Sequence, residues 1–266
     1  MVNIFFKTLK DKKWSIVVYC FFGVIMLWMY ISLFPSVKDS AASVSDFVKR
    51  LPPELNKAFG LDPASFGTFE GLLGSKIFSL VWPLMLAGIL VSMSASYISG
   101  EVERGTIEIS LAQPVSRVKI IISKILAGIS VNLIFIIFSI IAVIPMAHLT
   151  NIPLKDGNFI LLSIVGFMLG LAILGISTLI SSISSDKGRV ALSVSGILLI
   201  MYVLFIFALL SDKVDYLKYF SFFYYFNYSD ILLLGKVDIY PFIFYLVTFI
   251  TSISASIFIF NKRDIS

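Results

Sequence analysis

Few residues in this sequence have side chains that could do chemistry, and their spacing excludes more than it offers. His148 is the one histidine and Cys20 the one cysteine among 266 residues. A metal-dependent hydrolase needs several His or carboxylate ligands converging on one ion. A lone His148 beside Pro145, near the end of an apolar run, reads instead as a structural residue at a membrane interface. A Ser–His pair is formally available, because many serines lie in apolar runs, but no spacing singles one out. Cys20 sits inside an apolar stretch and has no disulfide partner. A phosphate-cradling loop would read G-x-x-x-x-G-K-[ST]. Gly74-Ser75-Lys76 lacks that order and spacing, and the motif occurs nowhere else. The chain is therefore expected to hydrolyse no ATP, to bind no cofactor and to hold no metal of its own.

The other charges matter by where they gather. Between Gly100 and Lys124 lie Glu101, Glu103, Arg104, Glu108, Arg117 and Lys124. In the same stretch Gly105 breaks a helix end and Thr106 is a candidate N-cap. Ile107 and Leu111 share one face of a two-turn helix, Pro114 stops it, and Ser116 can cap the next apolar run. The pattern predicts a short amphipathic helix held parallel to the membrane by two elbows, a lever that an external motor could push. The plainer alternative is a solvated brace.

The elements that position this cluster are membrane helices. The chain is 58% apolar and only 14% charged, with a mean hydropathy of +0.98. A water-soluble fold of this length cannot hide that much apolar surface, so lipid must be part of the solvent. Six runs are long enough to cross about 30 Å of hydrocarbon: 14–34, 77–98, 120–149, 159–183, 190–210 and 240–260. The expected fold is all-α, a single transmembrane domain over 1–266. The first run is too long, and its end too bulky, for a cleaved signal segment. An even number of crossings puts both termini on one side. With that side inside, the inner segments hold twelve basic residues against six acidic ones, whereas the outer segments are close to neutral. Both termini are therefore expected in the cytoplasm. The net charge of +5 reflects this bias and anionic lipid, not nucleic acid.

Three segments outside the runs have patterns of their own. Val2, Phe5, Phe6 and Leu9 recur at helical spacing with lysines opposite, which predicts an interfacial helix; a frayed basic tail is the alternative. The loop from Pro35 to Ser75 is expected to form one or two short helices over the bundle. Residues 211–238 are too aromatic for water and too broken for a span. They suit re-entrant or interfacial helices before the last crossing, or an aromatic belt. Gly166 and Gly170 mark close helix packing.

The 100–124 segment also resembles the coupling loop of permease subunits of type-2 ABC exporters. Glu101, Glu103, Gly105, Thr106, Pro114, Ser116, Arg117 and Lys124 match that family's signature in order and spacing. Leu51-Pro52 through Phe59-Gly60 is similar to the outer loop of the subgroup without a large extracellular domain. Tyr219-Phe220-Ser221-Phe222-Phe223 is similar to the family's outer turn, with Phe222 where proline is common. The resemblance implies a non-catalytic subunit of the plasma membrane, bacterial or archaeal, paired with a second copy or a paralogue. It further implies two cytoplasmic ABC ATPase subunits, carrying ATP and Mg, docked on Glu101 to Lys124. A stand-alone secondary transporter or channel is the rival reading. It predicts inverted internal repeats and broken polar helices at mid-membrane depth, for which no convincing repeat is visible.

Overall fold

A computed structural model describes residues 2–39, 45–46, 48–52, 56, 68–107 and 115–263. The described residues are helical throughout, with no strand among them. The chain opens with α1 (Val2–Asp11), which turns at Lys12 into the first long helix, α2 (Lys13–Asp39). A short α3 (Phe69–Leu73) runs through a π-helical turn (Gly74–Phe78) towards α4 (Val81–Tyr97), and a single turn, α5 (Ser99–Glu103), follows. The long helices α6 (Arg117–Leu149), α7 (Asp156–Ile183) and α8 (Lys187–Leu210) come next. A 3-10 stretch (Asp212–Phe220) and two short helices, α9 (Phe222–Tyr225) and α10 (Tyr228–Leu234), lead into α11 (Tyr240–Lys262).

Five helices are long and apolar enough to cross a membrane by themselves. The sixth crossing is the pair Phe69–Phe78 and Val81–Tyr97, bent by 42°. It starts earlier than the expected 77–98. Pro83 explains the bend: it has no N–H to donate, and its ring crowds the carbonyl of Ser79, four residues back. Six crossings bring both termini to one end of the bundle, here called the terminal end. Among the five unbroken spans α7 is the most enclosed, and α2, α8 and α11 present broad apolar faces outward. Such faces suit lipid or a neighbouring membrane helix.

The N-terminal helix is ordered against the bundle and is not a frayed tail. Ile4, Phe5, Thr8 and Leu9 pack inward, while Val2 and Phe6 remain exposed beside Lys7. Most of the loop after α2 lies outside the described residues.

At the opposite end an aromatic plug closes the bundle. Trp82 and Phe226 stack with centroids 5.8 Å apart and planes 7° from parallel. The Trp82 indole donates to Ser139 Oγ at 3.0 Å. A Cβ added at Gly166 would meet Trp82 at 2.5 Å and Phe226 at 3.6 Å, so this glycine makes room for the stack. Gly166 is ten residues into α7, about 15 Å from its Asp156 end. The α9–α10 segment thus dips well into the bundle, as a re-entrant element must. It is tolerated there because its backbone groups find protein partners. Tyr245 Oη donates to the Phe222 carbonyl at 2.7 Å, and the Asn158 amide donates to the Leu232 carbonyl at 2.8 Å. The crowded aromatics therefore divide. Phe222 and Phe226 are buried, whereas Tyr216, Tyr219 and Phe220 face outward. His148 lies at this same end and pairs with Asp156 at 2.8 Å, across the turn from α6 to α7.

Candidate functional site

The charged cluster at the terminal end is built around a break in the second crossing. α4 stops at Tyr97, and Ile98 (φ −118°, ψ −75°) turns the chain into α5. A helix end leaves carbonyls without intrahelical partners. Lys124, seven residues into α6 and about 10 Å along it, supplies one. Its ammonium donates to the Tyr97 carbonyl and forms a 2.6 Å ion pair with Glu101 Oε2. The Lys124 side chain is 2% exposed and that of Glu101 21%. Placing a cation at the C-terminal end of α4 also complements the helix dipole. Among Asp, Glu, Lys and Arg this is the one side chain that the sequence places inside an apolar run, and its bonds explain how it can be buried. Truncating one member of such a pair would leave the other desolvated and uncompensated.

A second stitch holds the break from α7. The Ser99 hydroxyl donates to the Ser181 carbonyl at 2.8 Å, and the Ser181 hydroxyl donates to the Ser94 carbonyl at 2.8 Å. Glu103 faces the opposite way: its carboxylate accepts from the Lys187 amide at 2.9 Å, satisfying the start of α8. Ser116 caps α6 as the sequence predicts, accepting from the Lys119 amide at 3.4 Å. The Arg117 guanidinium donates to the Arg263 carbonyl at 2.6 Å. The Arg263 guanidinium in turn donates to the Ser182 and Ser184 carbonyls at 2.8 and 2.9 Å, closing the end of α7.

Between these anchors the chain is open. Arg104, Gly105 and Thr106 are exposed, and Gly105 adopts φ +68°, a left-handed conformation that favours glycine. This is the first elbow. Thr106 Oγ1 donates back to the Glu101 carbonyl at 3.4 Å. Ile107 is 2% exposed and packs into the core of the chain, so the apolar face it would share with Leu111 begins against the bundle itself. Glu108, Leu111 and Pro114, with the rest of the predicted two-turn helix, lie outside the described residues.

Sequence reasoning missed Tyr97, Ser99, Ser181 and Arg263. The signal that could have found one of them, Ser181, is the run Ser181-Ser182 and Ser184-Ser185 just before Asp186, too polar to end an apolar crossing without partners. Among the described residues no group of His, Cys, Asp and Glu could hold a metal ion.

Comparison with known proteins agrees with this architecture. The family described as ABC-2 family transporter protein matches residues 5–265, nearly the whole chain. No curated protein matches it. A match from the first turn of α1 to the end of α11 takes in all six crossings and both stitched ends, so the chain belongs to the ABC-2 transporter family and is a membrane-spanning permease of an ABC transporter.

Proposed function

We propose that this permease is the non-catalytic half of an ATP-driven exporter, coupled through residues 101–124 to two separate cytoplasmic ATPase subunits that bind ATP and Mg. A second permease, identical or a paralogue, completes the substrate pathway, and both termini face the cytoplasm. The observation that carries this reading is the build of the terminal end. Arg104, Gly105 and Thr106 are offered outward, while Glu101, Glu103, Arg117 and Lys124 on either side are fastened to α4, α6, α8 and α11. A push on the exposed elbow is delivered directly to four crossings. A flexible loop would absorb it.

The decisive experiment is co-purification followed by an ATPase assay. The isolated chain should hydrolyse no ATP, and activity should appear only with an ATPase partner retained on it. Robust hydrolysis by the verified-pure chain would overturn the proposal. Sidedness is read separately by an impermeant thiol reagent on intact cells, after Cys20→Ser. Asn56→Cys and Lys213→Cys should label from outside, and Thr106→Cys should not.

A further inference from the structure

A cavity of about 400 Å³ lies at the terminal end, between α1 and the α4–α6 junction. That is within the roughly 300–1,000 Å³ usual for ligand sites. Among the described residues its charged lining consists of Lys7, Lys12, Arg104 and Lys124 with Asp11 and Glu101, an excess of two positive charges. Lys124 is committed to Glu101. Among the described residues Lys7, Lys12 and Arg104 take part in no ion pair. Lys12 donates to Ser96 Oγ at 2.6 Å, and the hydroxyl residues Thr8 and Thr106 complete a polar wall.

We propose that this cavity binds the phosphate of an anionic ligand, and that the ligand enters as the headgroup of an anionic phospholipid. Three cations converge on one partly open cavity from two elements, α1 with its following turn and the elbow after α5, and the described residues that line it hold two fewer carboxylates than cations. Lys12 registers the imbalance. Burial pushes its pKa down, the like charges of Lys187 and Arg104 push it further, and Asp11 opposes them only in part. An anion in the cavity removes that strain. A phosphate suits it because it offers several acceptor oxygens to ammonium and guanidinium donors at once. The lipid source follows from the surroundings. Val2 and Phe6 expose apolar surface on the face of α1 turned away from the cavity. Trp14, 72% exposed with the Lys13 ammonium 5.6 Å from its ring, is placed as an interfacial anchor. The cavity therefore opens at headgroup level. This inference does not depend on ATPase coupling and can fail or stand without it.

The test uses the full chain in detergent, with dioleoylphosphatidylglycerol, dioleoylphosphatidylcholine or inorganic phosphate added. Binding is read by native mass spectrometry and by the unfolding temperature. Phosphatidylglycerol should be retained and should raise the unfolding temperature, and phosphatidylcholine should do neither. Lys7→Gln with Lys12→Gln should weaken phosphatidylglycerol binding at least about tenfold, since each basic residue near an anionic headgroup contributes a several-fold factor. Lys10→Gln with Lys119→Gln removes the same charge from the same end of the bundle outside the cavity, and should leave binding unchanged. Arg104→Gln, on a different element, should weaken binding even if the α1 variant folds poorly. Equal losses in the two double variants would mean diffuse attraction and overturn the site, as would equal binding of the two lipids. Inorganic phosphate that displaces phosphatidylglycerol and protects as well would overturn the lipid as the occupant. Unchanged phosphatidylglycerol binding in both the α1 double variant and Arg104→Gln would overturn the proposal, whether or not an ATPase partner is retained.

Discussion

The two ends of this bundle are held by different physics. At the terminal end, broken helices are joined by directional bonds: Lys124 to Glu101 and Tyr97, Glu103 to the start of α8, Arg263 to the end of α7. At the opposite end the joint is shape. Trp82, Phe226 and Gly166 fit by close contact, and only a few hydrogen bonds satisfy the re-entrant backbone. The difference teaches which end can rearrange. A hydrogen-bonded junction has discrete partners that can be exchanged, whereas an interlocked aromatic stack resists sliding until it comes apart.

The comparison can be broken most forcefully at the stack. Trp82→Ala should destabilise the chain by about 4 kcal/mol, the usual cost of emptying a large buried aromatic site, read as a lowered unfolding temperature in detergent. A cycle with Phe226→Ala should show the two losses to be less than additive; full additivity would mean that the stack is not a unit. At the terminal end Lys124→Ala should cost about 3 kcal/mol, because Glu101 and the Tyr97 carbonyl are left without their cation. Replacing both partners with Glu101→Gln and Lys124→Met should recover much of that loss. If the double variant is no better than the single, the ion pair is not the main contribution.

The next prediction sharpens the functional side of the contrast. Leu111→Asp should cost about 2 kcal/mol of assembly with the ATPase, as loss of an apolar interface anchor does, and should uncouple or prevent transport. Glu108→Gln should change assembly by about 0–1 kcal/mol. Normal membrane insertion of both variants is the control, and the reverse ranking would point to an electrostatic latch. A smaller effect is expected at the opposite end, where Tyr245→Phe removes one buried bond to the Phe222 carbonyl and should cost about 1 kcal/mol.

The smallest effect concerns pH. The Lys12 pKa is lowered from 10.5 in the folded chain, so between the two values the unfolded chain binds more protons. Stability should therefore rise slightly as alkaline pH approaches 10.5. This increment should vanish in Lys12→Gln, measured against the wild type at each pH.

Much of this architecture was legible in the sequence. Five of the six crossings follow from unbroken apolar runs, which only lipid can accommodate. The start of the sixth was not, because Glu70 interrupts the hydropathy. That residue is buried all the same, and its carboxylate accepts from the Lys155 amide at 3.2 Å. The Ser116 cap was legible because capping is a local interaction. The inward turn of Ile107 was not, since a short amphipathic pattern identifies an apolar face without saying what covers it. The roles of Arg117 and Arg263 depend on a contact between residues 146 positions apart, which no local pattern reports. The aromatic crowding in 211–238 was visible, but without periodicity nothing separated Phe222 and Phe226 from the exposed Tyr216 and Tyr219.

The fastening of α7 to α11 carries a mechanical consequence. Ser182 and Ser256 hydroxyls lie 2.5 Å apart, a Cβ at Gly175 would come within 3.1 Å of the Phe249 backbone, and Arg263 clasps the end of α7. Close packing along their length, more than the exchangeable Arg263 bonds at one end, ties these two helices together. Any rocking of the bundle must then be absorbed at its joints, at Ile98 on the terminal side and at the 79–80 bend on the other.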